Sequence, residues 1–243
     1  MIYENAELYD LQYRHYDDDF HFYKNLVTNY GGPVLEIGIG TARLTTHLVK
    51  TGYKIIGIDI SKEMLTKAKE KINELKLNEL VELKQADMQS FELAQKFSTI
   101  IMPFNAFAHA YTIKAQDKTL TTVKKHLKTG GVFALDMFNP NFVNLDRLKI
   151  VEEWQNLAGI NSELFVYQSV DKDSQIITSR YYLDTIKDNK VERKTAYLRQ
   201  RYYHRFELER ALANAGFNNI KFYGDFNKNR YNRSMPHLIA TAH

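Results

Sequence analysis

The chain has 243 residues, 44% of them hydrophobic, with 33 Lys plus Arg against 29 Asp plus Glu and a net charge of +4; this suffices for one α/β domain with a packed core and a modest insertion. The basic residues are interleaved with acids and form no stripe, which argues against a nucleic-acid partner. The absence of cysteine excludes disulfides, thiolate metal sites and cysteine nucleophiles together.

The N-terminal MIYENAELYDLQYRHYDDDF lacks the basic-then-apolar pattern of a secretory signal. No apolar run approaches the roughly 18 residues of a membrane span. The expectation is a cytoplasmic protein with no membrane partner. The first thirty residues predict a helix, aromatic on one side and acidic on the other, broken by Gly31-Gly32-Pro33. Short apolar strands are expected at 33–38, 54–59, 81–86, 98–102 and 131–137. Amphipathic helices are expected at 61–75 and 115–127. The first has Ser61 as N-cap and Met64, Leu65, Ala68 and Ile72 at helical spacing; the second stops at Gly130-Gly131. Continuous apolar strands alternating with helices indicate a parallel sheet covered on both faces.

The pattern then changes. Residues 164–170, 175–187 and 190–203 alternate as strands do, with turn signals at 171–174 and at Asp188-Asn189. This reads as about four antiparallel strands inserted over 144–203. A helix at 206–215, ended by Gly216, and strands at 219–223 and 237–241 complete the chain. The expected fold class is α/β: a doubly wound, mostly parallel seven-stranded sheet of Rossmann-like type, from 1–143 and 204–243, with the antiparallel sheet of 144–203 as a cap.

The segment 34–43, VLEIGIGTAR, carries the chemistry. Gly38 and Gly40 sit where the first strand turns, so the backbone can bend tightly and a ligand can approach without a Cβ in the way. Asp59 ends the second strand, where an acid accepts hydrogen bonds from ribose hydroxyls. A dinucleotide fingerprint would want a third glycine at Arg43. Instead Glu36 precedes the turn, and a carboxylate there suits a cationic amino-acid end and opposes a pyrophosphate. That favours S-adenosylmethionine (SAM) over a nicotinamide cofactor or a turn that holds no ligand.

Residues 33–137 resemble the core of class I SAM-dependent methyltransferases. The motifs are E-x-G-x-G-T at 36–41, G-x-D-x-S at 57–61, A-D-M at 86–88 and L-K-x-G-G at 127–131. Ala42 stands where many members have a third glycine, and reads as a small, helix-favouring substitute. The resemblance implies that Glu36, Gly38 and Gly40 line the methionine part of SAM. It places Asp59 on the ribose, Ile60, Asp87 and Met88 around the adenine, and Phe104 and Asn105 at the floor.

The fourth strand ends Met102-Pro103-Phe104-Asn105, without the Asp/Asn-Pro-Pro-aromatic motif of enzymes that methylate exocyclic base amines. The absence of cysteine closes C5 base methylation, and 2′-hydroxyl methylation stays open. The remainder resembles amino-sugar N-methyltransferases and, more loosely, glycine N-methyltransferases, through residues 9–14 (YDLQYR) and 202–208 (YYHRFEL). This implies a small-molecule acceptor methylated on an amine or hydroxyl, in a monomer or homodimer with no metal. It also implies an N-terminal lid helix whose Tyr9 and Arg14 close over SAM, with Arg14 on its carboxylate. His109 and His204 are the candidates for moving the acceptor's proton, with Tyr13 and Tyr9 orienting it. An RNA methyltransferase and a SAM-binding regulator without catalysis are the competing readings.

Overall fold

The N-terminal segment folds as two helices, α1 (Ala6–Gln12) and α2 (Phe20–Tyr30), rather than one. Gly31, at φ 74°, ends α2 with its N–H on the Val27 carbonyl. The computed structural model describes residues 6–142, 148–157, 160–187 and 190–243. After α2 come β1 (Val34–Ile37), α3 (Thr45–Leu48), β2 (Ile55–Asp59), α4 (Lys62–Glu74), β3 (Val81–Gln85) and β4 (Phe97–Met102). They are followed by α5 (Ile113–His126) and β5 (Leu127–Phe138). In α4, Ser61 is the N-cap, its hydroxyl accepting from Met64 N at 3.2 Å. β5 begins at once where α5 ends, so the expected stop at Gly130-Gly131 lies inside a strand.

The chain continues through β6 (Leu148–Leu157), β7 (Ile160–Asp171), β8 (Ile176–Lys187) and β9 (Lys190–Arg201) to α6 (Arg205–Asn214), β10 (Lys221–Tyr223) and β11 (His237–Ala242). The main sheet has seven strands in the order β10-β11-β5-β4-β1-β2-β3. Its strands are parallel except β11, which runs antiparallel to both β5 and β10. Successive residues point to opposite faces and build two layers of core. Leu35, Ile37, Ile100 and Leu135 pack with α5 and α6, while Val34, Ile55, Ile101 and Ala134 pack with α2 and α4. Each of the Val, Leu and Ile side chains, fully buried, contributes roughly 1.5–3 kcal/mol.

Strands β6 to β9 form a separate antiparallel sheet in sequence order. Leu164, Val166, Tyr181 and Leu198 share one face and pack against Leu8 and Leu11 of α1. Helix α1 is thereby held between this sheet and the core. On the core side, Asp10 accepts from the Thr41 hydroxyl at 2.5 Å and pairs with Lys71 at 3.0 Å. The turn after β7 is organised by Asp171, which accepts from Asp173 N and from Ser174. The turn expected at Asp188-Asn189 and the expected start of the insertion at 144 lie outside the described residues.

Candidate functional site

The glycine turn after β1 takes three left-handed residues, Gly38 at φ 73°, Gly40 at 56° and Ala42 at 62°. A Cβ on Gly38 would come within 2.8 Å of the Ala106 Cβ. Gly40 donates its N–H to Asp59 at 2.9 Å, and the other carboxylate oxygen accepts from Ser61 N at 2.9 Å. Asp59 therefore bridges the ends of β1 and β2 and keeps lone pairs for a ligand. Ala42 is no helix starter. It is buried in the conformation a glycine would adopt freely, and α3 begins only at Thr45.

Beyond the carboxyl ends of these strands lies a cavity of about 310 Å³, the expected ligand crevice of an open α/β sheet. Gly38, Gly40, Asp59 and Ile60 line one side, and Asp87 and Met88 close the far end. Tyr9, Phe104 and His109 line it as well, with Tyr111 beside His109. Among the described lining residues are two carboxylates and no lysine or arginine. Ile60 is 67% exposed at the rim, an apolar surface offered to a flat partner.

Other expected site residues fall elsewhere. Glu36 is 2% exposed and is not on the wall. It lies beneath the turn, where the Thr45 hydroxyl donates to it, and burial pushes its carboxyl up to about 8. Arg14 is exposed and lines neither cavity; it bonds its own helix end, Nη1 donating to the Leu11 carbonyl at 2.6 Å. His204 is the exposed N-cap residue of α6 and reaches neither cavity. Helix capping accounts for its place: its N–H donates to Glu207 at 3.4 Å.

A second cavity of about 80 Å³ shares Tyr9 and Phe104 with the first. Tyr13 and Asn105 line it from the core side, and Gln168, Ser179, Tyr181 and Gln200 from the inserted sheet. Its described lining is polar and uncharged. The Gln168 amide donates to the Ser179 hydroxyl at 2.9 Å. Phe104 divides the two cavities, with the rings of Tyr13, Tyr16 and Tyr9 at 4.8, 5.1 and 6.3 Å.

Phe104 and Asn105 are both left-handed, at φ 53° and 65°, and the end of β5 holds them there. Phe104 N donates to the Asp136 carboxylate at 3.0 Å, Asn105 N to the Asp136 carbonyl at 3.1 Å, and Phe138 N to the Asn105 side chain at 2.7 Å. The Tyr23 hydroxyl also donates to Asp136 at 2.5 Å. Burial pushes the Asp136 carboxyl up to about 7, with the nearby Asp19 adding to it. Arg43 forks onto the buried Asp19 at 2.8 and 2.5 Å and lies 5.2 Å over the Phe104 ring. No sequence motif singled out Asp19, Asp136, Tyr111, Gln168, Ser179 or Gln200 as site residues. Alternation could have put Gln168 with Leu164 and Val166 on one face; only the strand register brings it beside Ser179.

Comparison with known proteins adds three findings. Residues 34–131 match the methyltransferase domain family. An uncharacterised methyltransferase of Bacillus mycoides is 35% identical over 135 residues, 53% of this chain and 59% of its own length. A dTDP-3-amino-3,4,6-trideoxy-alpha-D-glucopyranose N,N-dimethyltransferase of Streptomyces venezuelae is 26% identical over 140 residues, 55% of this chain and 56% of its own. The chain thus spans less than two thirds of the length of these curated relatives. Among solved structures, the CcbJ methyltransferase of Streptomyces caelestis superposes with a TM-score of 0.83 at 21% identity, covering 93% of this chain and 89% of that one. SAM-bound CalS10, an amino pentose methyltransferase from Micromonospora echinaspora, gives 0.76 at 17% identity, covering 97% of each chain. The architecture is the Rossmann-like methyltransferase fold with a separate four-stranded antiparallel sheet.

Proposed function

With residues 34–131 as a methyltransferase domain, we propose that the chain transfers a methyl group from SAM to the amine of a small, hydroxyl-rich metabolite of the amino-sugar kind. The observation that carries this reading is the pair of cavities meeting at Tyr9 and Phe104. One has two carboxylates and no lysine or arginine among its described lining residues, and the other is polar and uncharged. A sulfonium ligand with a free amino group is cationic where a dinucleotide is anionic, so the first wall fits SAM. Gly38 and Gly40 leave the room that a Cβ would fill, and Asp59 is the acceptor for ribose hydroxyls. Asp87, Met88 and the exposed Ile60 suit the adenine. The second cavity offers Asn105, Gln168, Ser179 and Gln200 to an acceptor's hydroxyl groups. The amino-sugar enzymes among the similar proteins support this class of acceptor.

SAM supplies an electrophilic methyl carbon whose sulfur leaves as a neutral thioether. The protein must place the acceptor lone pair behind that carbon, keep water out and take a proton away. Tyr9, Tyr13 and Phe104, packed ring on ring between the cavities, exclude water and orient the acceptor. An amine arrives as its ammonium, and His109, on the wall of the first cavity, is the base that accepts the proton. Burial holds its imidazole down to about 4, so it is neutral at pH 7 and offers a lone pair to the ammonium proton, at the cost of being a weak base. Sheet β6 to β9 forms the acceptor-side wall, and residues 144–203 act as a cap on the core.

The test is transfer from methyl-labelled SAM to a panel of amino sugars, other primary amines, phenols and RNA. Labelled N-methyl amino sugar is the expected product. Label on RNA alone would favour the RNA reading, and SAM binding without turnover on any acceptor would favour a regulator.

A further inference from the structure

The geometry points to Tyr111 as a positioning residue that fixes His109 in the Nδ1–H tautomer, by relaying a hydrogen bond from the edge of the inserted sheet. The inference rests on the base role proposed for His109.

The argument is one of donor counting. Tyr111 has one hydroxyl proton. Its hydroxyl lies 2.8 Å from the Arg199 carbonyl oxygen, which can only accept, so that proton goes to Arg199. The same hydroxyl oxygen lies 3.1 Å from His109 Nδ1. With the hydroxyl proton committed, this second contact is a hydrogen bond only if Nδ1 carries a proton and donates it. In the neutral imidazole the lone pair is then on Nε2. The chain runs from Nδ1–H of His109 to the Tyr111 hydroxyl to the carbonyl of Arg199.

Its far end is well founded. β9 is an edge strand of its sheet, and the Tyr111 hydroxyl serves the Arg199 carbonyl at that edge. The Arg199 guanidinium lies 5.8 Å over the Tyr111 ring, gripping the tyrosine from the same residue. The Tyr203 hydroxyl donates to the Ala110 carbonyl at 2.8 Å, so the segment that carries His109 and Tyr111 is tied once to β9 and once to the connection that follows it. The seating of the acceptor-side sheet therefore sets which imidazole nitrogen can take a proton. A histidine locked in the other tautomer could not act as base at Nε2, however well placed.

The experiment uses the full chain labelled with ¹⁵N-histidine, and reads the His109 imidazole nitrogens by long-range ¹H–¹⁵N correlation. His109→Asn assigns the signals. The expected result is an unprotonated Nε2 and a protonated Nδ1, with the pattern moving toward Nε2–H in Tyr111→Phe. A wild-type Nε2–H form, or an unchanged tautomer in Tyr111→Phe, overturns the proposal whether or not the protein turns over any acceptor. The second arm is a double-mutant cycle on kcat. Loss of a positioned base costs roughly a hundredfold or more, so Tyr111→Phe is expected to lower kcat by about tenfold or more in the wild type and by almost nothing in His109→Asn. An equal loss in both backgrounds assigns Tyr111 a purely structural role. Failure of His109→Asn to slow transfer, with the tautomer as expected, would instead refute the base assignment and leave the relay standing.

Discussion

All four residues of β1 are buried, whereas β9, twelve residues long, buries only Leu198 and Arg201. The central strands of the seven-stranded sheet are covered on both faces by helices, so the side chains of β1 are all core. The inserted sheet packs one face on α1 and leaves Tyr197 of the other 46% exposed. The division carries over to the cavities. The larger is lined by the turns at the ends of core strands, where backbone conformation and a few acids decide what binds. The smaller takes most of its polar groups from the inner face of the inserted sheet. Under the proposed function, cofactor recognition would be built into the turns of the buried core, and acceptor recognition would sit on alternate residues of a sheet whose hydrogen bonding survives side-chain exchange.

The largest break in this comparison is expected from Gly38→Val. The residue sits at φ 73° with Ala106 within 2.8 Å of any Cβ, and left-handed backbone alone costs a β-branched residue roughly 1–2 kcal/mol. SAM affinity, read by calorimetry, should fall by about a hundredfold or more with a lowered Tm. Next comes Asp59→Ala, which removes a charged acceptor and the tie to Gly40. Its loss of SAM affinity should be roughly 1–3 kcal/mol, with acceptor KM unchanged at saturating SAM. Affinity equal to wild type would remove Asp59 from the site.

On the other sheet, Gln200→Ala should raise acceptor KM by about fivefold, one neutral hydrogen bond being worth roughly 1 kcal/mol. SAM binding should be untouched, and weakened SAM binding in this variant would erase the division between the two regions. The last effect concerns Glu36 and is read in stability rather than in binding. Its folded-state value, about 8, lies above its unfolded one, so the folded protein holds a proton that the unfolded chain releases. That contribution to stability is complete below about pH 4.5 and is lost as pH rises toward 8. In cofactor-free protein, the stability of Glu36→Gln relative to wild type should rise across this window, and urea melts at pH 5 and 8 decide it. A flat difference would mean that Glu36 is ionised beneath the turn throughout.

The main sheet was legible because parallel strands buried on both faces leave continuous apolar runs, and because a strand ending in a glycine turn needs residues such as Gly38 and Gly40. In the N-terminal region the helix ended by Gly31 was legible, and the separate α1 was not, since periodicity does not record the break between Gln12 and Phe20. At the cavities the sequence placed the groups whose work depends on local backbone, among them Asp59 at the end of β2. It misplaced those whose work depends on where a long side chain finds its partner. Arg14 turns back onto its own helix end, and His204 stands at a helix cap away from both cavities.

By itself, then, the sequence determined the order of elements, the glycine turn, and the acids at the ends of β2 and β3, all set by contacts between near neighbours in the chain. Tertiary structure alone decided that Glu36 lies under the turn, that Asp19 meets Arg43 and that Tyr111 meets Arg199. Each of these depends on strand register or on the packing of elements 9 to 88 residues apart. No local pattern encodes such pairs, because the energy that selects them comes from burying the two sheets and α1 against one another.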